Sequence, residues 1–238
     1  MSSAAASAPD ALRVTAISSM ATRAVLADLG RAFARHFGIE LAVESVGGVD
    51  AAKRVAAGET FDLVILASDA IDKLAAAGHV VPGRIDLVRS PVAVAVKTGA
   101  AKPDLGSEAA LKAAVLAART IGYSTGPSGT HLMKLFERWG VADEVARRTV
   151  QAPPGVPVAS LVVKGEVELG FQQLAELMHV PGVEVVGLLP AGAAFITTFS
   201  AAFGRGSAQA AAARAALDFI NSPEGADIKR RHGMEPAA

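Results

Sequence analysis

The sequence predicts an α/β protein of two lobes, each a mixed and mostly parallel sheet flanked by helices, with a ligand cleft between the lobes. Three observations predict it. From residue 12 onward, short β-branched and apolar runs alternate with helical patterns, as in parallel strands buried on both faces. The alternation is interrupted near Arg89-Ser90-Pro91 and again near residue 190, where the chain is expected to change lobe and return. With 238 residues, 51% of them hydrophobic, the chain can bury cores of that size.

LRVTAIS (12–18) reads as the first strand, and the helical pattern AVLADLGRAFARHFG follows it and stops at Gly38. IELAVESVG (39–47) is the second strand, leading through Gly47-Gly48 into a helix capped by Asp50 and stopped by Gly58. FDLVILAS (61–68) is the third, with Ser68-Asp69 capping the helix after it. VAVAVKTG (92–99) then follows the break at Arg89-Ser90-Pro91 and opens the second lobe, and KPDLGSEAALKAAVLAA continues it as a loop and helix. TIGYS (120–124), VELGFQ (167–172) and VEVVGLLP (183–190) supply strands, with helices at 130–139 and 156–164 between them. ITTFSAAFG (196–204) is extended, and the remainder is helical with a break at Ser222-Pro223. The expected lobes are therefore 11–88 with 195–238, and 89–194, joined by crossovers near 88–92 and 190–197.

Charge and composition exclude several classes of function. The 23 basic and 23 acidic residues cancel, so no polyanion partner such as nucleic acid is expected, and any anion site must be local. There is no cysteine, and the five histidines lack zinc-ligand spacing, so neither a metal nor another cofactor is expected. No run approaches the ~20 apolar residues of a membrane span. The opening MSSAAASAPDALRV lacks the pattern of a secretory signal, so a monomeric cytoplasmic chain is expected, or a periplasmic one if a leader was trimmed.

Two lobes joined by two crossovers place their cleft where strands end and helices begin. Four such junctions share one chemistry: Ser18-Ser19, Gly47-Gly48, Ser68-Asp69, and the loop Ser124-Thr125-Gly126-Pro127-Ser128-Gly129-Thr130. Glycine admits a ligand close to the backbone, while hydroxyls and the N–H groups of a helix start donate to an anion favoured by the helix dipole. Taken singly, each junction is what any strand-to-helix turn uses. Together they form a candidate anion site. The loop is not a P-loop, because no Lys-Ser/Thr pair follows its glycines.

The order ISSM, a glycine turn, FDLVILASD, STGPSGTHLMKLFERWG and VELGFQQLAEL resembles the type II periplasmic binding proteins, specifically their molybdate-binding-protein-like branch, over roughly residues 12–236. The resemblance implies two lobes closing on a small anion, usually as the receptor of an ABC permease. It also implies oxyanion ligands at Ser18, Ser19, Ser128, Gly129 and Thr130. Two departures stand out. Gly47-Gly48 replaces the serines after the second strand, and Gln172-Gln173 replaces a tyrosine after a late strand. With Arg89-Ser90 at the crossover offering a guanidinium fork, these changes favour an organic di- or tricarboxylate over a tetrahedral oxyanion. Aconitate isomerase shares this scaffold, and its proton transfer would need a titratable side chain at the cleft, for which His131 is the histidine in place. A transcription regulator's ligand-sensing domain would need a DNA-binding helix pair and a basic stretch, and neither is present. A transport receptor for a small carboxylate is the first expectation and an aconitate-isomerase-like enzyme the second. Arg23, Arg54, Trp139 and the Lys229-Arg230-Arg231 run read as solvated faces, core packing and a helix C-terminus.

Overall fold

A computed structural model describes residues 12–237, so residues 11 and 238 of the expected first lobe lie outside the described residues. The first lobe begins with three strand–helix units: β1 (Arg13–Ser19) and α1 (Arg23–Phe37), β2 (Glu40–Val46) and α2 (Gly48–Ala56), β3 (Leu63–Ala67) and α3 (Ser68–Ala76). The long strand β4 (Ile85–Lys97) leads into α4 (Glu108–Ala117), β5 (Ile121–Tyr123), α5 (Pro127–Arg138), α6 (Ala142–Val145) and β6 (Thr149–Gln151). Next come α7 (Val158–Lys164), β7 (Leu169–Gln173), α8 (Leu174–Leu177) and β8 (Val183–Leu188). The chain ends in β9 (Ile196–Phe203), α9 (Ala210–Ile220), α10 (Pro223–Arg231) and β10 (Glu235–Pro236).

The strands run in the order β2-β1-β3-β9-β4-β7-β5-β6, with β8 and β10 also paired to β4. β1 is parallel to β2 and β3, and β5 is parallel to β6 and β7. The crossover strands β4 and β9 run antiparallel to each other and to their other neighbours. One strand serves both sheets. Residues 85–91 of β4 pair with β9, while residues 92–97 pair with β7 and β8.

Pro91 does not break this strand, contrary to the expectation of an interruption at Arg89-Ser90-Pro91. It pairs opposite Ile196 at the last ladder position with β9, and the next residue, Val92, takes up the register of β7 and donates its N–H to the Phe195 carbonyl at 3.1 Å. A residue without an N–H is tolerated where a strand changes partners.

Side-chain alternation divides the core as two-sided burial requires. In β3, Leu63, Ile65 and Ala67 pack toward α1, α9 and α10, while Val64 and Leu66 pack toward α2 and α3. In the second sheet Val92, Val94 and Val96 face α4 and α5, while Ala93 and Ala95 lie against Ala159 of α7 and Leu177 of α8. The small residues on that side let two helices sit close to the strand that joins the lobes.

Local differences from the sequence reading concern caps. α2 starts at Gly48 with Asp50 inside its first turn, and α3 starts at Ser68, so neither Asp50 nor Ser68 serves as the cap residue. α5 starts at Pro127, three residues before the expected 130, because proline at the first helical position suits a fixed φ and a missing donor. β6, α6, α8 and β10 are too short to leave a periodic signal. Arg54 is no free surface cation: it bonds Glu44 at 2.5 Å and Glu59 at 2.5 Å.

Lys229 is also not a solvated end of α10. It is 1% exposed and donates to Asn221 Oδ1 at 2.8 Å, with burial pushing its ammonium down to about 8. Because the folded value lies below the ordinary 10.5, the unfolded chain binds more protons between the two, and this residue's contribution to stability rises with pH across that window. The melting temperature of the protein relative to its Lys229→Met variant is expected to be constant below pH 8 and to rise from pH 8 to 10.5. Differential scanning fluorimetry across that range measures it, and a flat difference contradicts the assignment.

Candidate functional site

A cavity of about 960 Å³ lies between the two sheets, and its walls are the ends of strands from both lobes. The first lobe supplies Ser19, Gly47, Gly48 and Ser68, and the second supplies the loop Ser124–Pro127 with Ser128, Thr130 and His131, the turn Pro153–Pro157, and Gln172, Gln173 and Glu176. The return crossover closes one side with Phe195, Ile196 and Thr197.

The glycines let these junctions approach one another. A Cβ on Gly48 would stand 3.5 Å from that of Ser19, and one on Gly47 would stand 3.7 Å from the backbone nitrogen of Gly155 across the cleft. At the loop end of α5, a Cβ on Gly129 would overlap the Ser124 carbonyl oxygen, so only glycine lets the helix start fold back on its own strand. Ser128 is buried and shares a hydrogen bond with Ser124, Oγ to Oγ at 3.1 Å.

Of the sequence candidates, Ser19, Gly47, Gly48, Ser128, Thr130, His131, Gln172 and Gln173 line the cavity. Ser19 Oγ is buried with no partner among the described residues, as is Gln173 Oε1, whose amide nitrogen donates to Thr197 Oγ1 at 2.6 Å. Gly129 sits behind the wall as a backbone element. Three candidates point elsewhere. Ser18 is turned toward β2 and pairs with Ser45, Oγ to Oγ at 2.7 Å. Ser90 is fully buried in the strand that joins the lobes, outside the cavity lining. Arg89 is corrected most sharply. Pairing of β4 with β10 puts it opposite Glu235 on the exposed side, where it donates to the Pro236 carbonyl at 3.4 Å, so its fork is not aimed at the cleft.

His131 is held rather than free. Its ring stacks on Phe195 with centroids 4.3 Å apart and planes 11° from parallel, and Nε2 donates to the Ala193 carbonyl at 3.2 Å. That bond leaves Nδ1 as the nitrogen able to accept.

Sequence reasoning missed Glu176. It follows β7 on the single turn of α8 and lines the cavity beside Gln172. Gln172 Oε1 accepts from the Val158 N–H at 2.9 Å, which caps α7 and fixes the amide so that its nitrogen faces Glu176 Oε1 at 2.8 Å. Burial pushes the Glu176 carboxyl up to about 7, and the Gln172 hydrogen bond offsets this only in part. The stretch FQQLAEL carried one available signal, a carboxylate three residues past a strand end, but nothing local reveals that it is desolvated.

Lys53 and Lys134 also line the cavity and form no ion pair among the described residues. The cavity thus combines neutral donors inside with free cations on its walls, an arrangement suited to a multiply charged anion. Among the described residues there is no cluster of three metal-binding side chains, and no helix is long and apolar enough to cross a membrane.

This fold and cleft define a solute-binding protein. The chain belongs to the bacterial extracellular solute-binding proteins, whose family profile matches residues 12–235. It is 35% identical over 230 residues to an aconitate isomerase from a Pseudomonas species, covering 94% of this chain and 87% of that one. Among solved structures it is similar to the periplasmic molybdate-binding protein of Azotobacter vinelandii, with a TM-score of 0.78 at 20% identity over 93% of this chain and 98% of that one. It is also similar to a sulfate-binding protein of Mycobacterium tuberculosis, with a TM-score of 0.76 at 16% identity over 95% of this chain and 87% of that one. At those identities the likeness to the solved structures is one of fold.

Gly129→Ala is expected to destabilise the protein by about 1–3 kcal/mol, since the added methyl must push the Ser124 backbone aside. Urea unfolding checks it, and an unchanged midpoint contradicts the tight turn.

Proposed function

We propose that the protein is an enzyme of the aconitate isomerase type, which binds a tricarboxylate in the cleft and moves its double bond by proton transfer. The observation that carries the reading is that groups able to move a proton, Glu176 and His131, share one cavity with anion-binding helix starts and unpaired lysines. A receptor needs only the second set. The 35% identity to an aconitate isomerase along most of both chains supports the same reading.

Size and chemistry agree with such a ligand. About 960 Å³ is in the range of sites for small organic molecules, far more than a four-oxygen anion fills. Carboxylate groups can be shared among the Ser19 hydroxyl, the start of α5 and the cationic side chains Lys53 and Lys134. Helix starts and hydroxyls placed before the reaction also stabilise the charge that spreads into a substrate carboxylate when a neighbouring C–H proton leaves.

Incubation with cis-aconitate in deuterated water, followed by proton NMR, is expected to give trans-aconitate with deuterium on the carbon that receives the proton. In thermal-shift assays cis-aconitate is expected to raise the melting temperature and molybdate to leave it unchanged. Stabilisation by cis-aconitate without turnover would identify a receptor of carboxylates. Stabilisation by molybdate alone would remove both readings.

A further inference from the structure

We infer that Glu176, not His131, is the residue that takes the proton from the substrate and returns it, with Gln172 as its positioning residue. The inference rests on the isomerase reading and assigns the residue that performs its chemistry.

Position is the first argument. α8 leaves β7 of the second sheet, yet Ala175 packs against the core of the first lobe, and Leu174 and Met178 close so tightly on Gly233 that a Cβ there would overlap them. The turn that carries Glu176 is therefore gripped by both lobes. A ligand held between the lobes meets this carboxyl, whereas His131 stands on α5 of one lobe with its ring committed to Phe195 and Ala193.

Orientation is the second. The Val158 N–H fixes the Gln172 amide, and the Gln172 nitrogen holds Glu176 Oε1, which leaves Oε2 of this cavity-lining residue without a hydrogen-bond partner among the described residues. A base needs one oxygen anchored and one available.

Electrostatic isolation is the third. The elements packed on α8 carry Asp86, Arg89 and Lys97 on β4, Glu184 on β8 and Lys164 on α7. None bonds Glu176: Asp86 is held by Arg84 and Ser200, Arg89 by Pro236, Glu184 by Lys102, and Lys97 and Lys164 are exposed. Lys53 and Lys134 stand exposed on the cavity walls and make no ion pair with it, so with no cation bonded to it Glu176 can alternate between its two forms, and burial places that change near pH 7.

The proton balance closes on this one group. Ionised Glu176 removes a proton from the substrate CH₂, and the C–H electron pair forms the new double bond as the old one shifts its electrons toward the adjacent carboxylate. The Glu176 carboxyl, its proton exchanged with water in the cavity, then delivers a proton (a deuteron in deuterated water) to the former vinyl carbon, which restores the carboxylate with no oxidant or reductant consumed.

The test compares the wild type with Glu176→Gln, Glu176→Asp and His131→Ala in the cis-aconitate exchange assay, with binding measured by calorimetry. Glu176→Gln is expected to lose at least about 100-fold in exchange and isomerisation rate while binding cis-aconitate as tightly or more tightly, because a negative charge beside an anion has been removed. Glu176→Asp should recover part of the rate, and His131→Ala should keep the pH profile. Wild-type kcat/KM should rise with pH through about 7 as the base ionises. If Glu176→Gln turns over within a few-fold of the wild type, or His131→Ala alone abolishes the pH limb, the assignment to Glu176 is overturned and the isomerase reading stands. If the wild type itself neither exchanges nor isomerises, both fall together.

Discussion

Everything about the cleft depends on one strand having to belong to two sheets. β4 pairs with β9 up to Pro91 and with β7 from Val92, so the lobes are joined through a continuous hydrogen-bonded ladder rather than by loose linkers. Residues flanking that point, Ser90, Thr197 and Gln173, are buried polar groups stacked where the ladders exchange, with Gln173 tied to Thr197. This rigid seam fixes the height of the cavity floor.

The seam also explains why the junctions of both lobes face one another. In each sheet the parallel strands end toward the seam, so β1, β2 and β3 present their helix starts from one side while β5 and β7 present theirs from the other. The proposed anion would meet several helix starts there without any buried cation, which avoids the cost of desolvating a guanidinium. The lysines stay exposed on the walls, where they can attract a charged ligand while remaining hydrated. Set among these neutral donors, a half-buried, desolvated carboxyl such as Glu176 keeps a proton more readily than it would in water. The same surroundings thus suit the proposed anion and raise the basicity of the proposed base beside it.

The alternation of strands and helices was legible because the central strands are covered on both faces, which turns strands such as β3 into short unbroken apolar runs. Leu63 to Ala67 is wholly buried and reads as a strand without any context. The candidate site was legible where function uses local geometry: Ser19, Gly48 and Ser128 sit at strand ends, and strand ends are written in glycine and hydroxyl residues. Proline misled the reading of the crossover, since its missing N–H is compatible both with a break and with the last rung of a ladder. Arg89 misled for a different reason, because its direction is set by β10, which is two residues long and comes nearly 150 residues later in the chain.

The amino-acid sequence by itself determined the order of the longer strands and helices, the two-lobed class and the junctions that line the cleft, because each of these follows from periodicity and capping within a dozen neighbouring residues. Only the tertiary structure decided how each candidate side chain is placed relative to the cavity. Ser18 is spent on Ser45, Arg89 on the C-terminal strand and His131 on Phe195, while Glu176, unremarkable in sequence, is carried by a single helical turn into the interface between lobes. Desolvation and hydrogen-bond partnership are properties of what surrounds a group in space, and for each of these residues the deciding neighbour is distant in the chain or hidden by a burial no local pattern encodes.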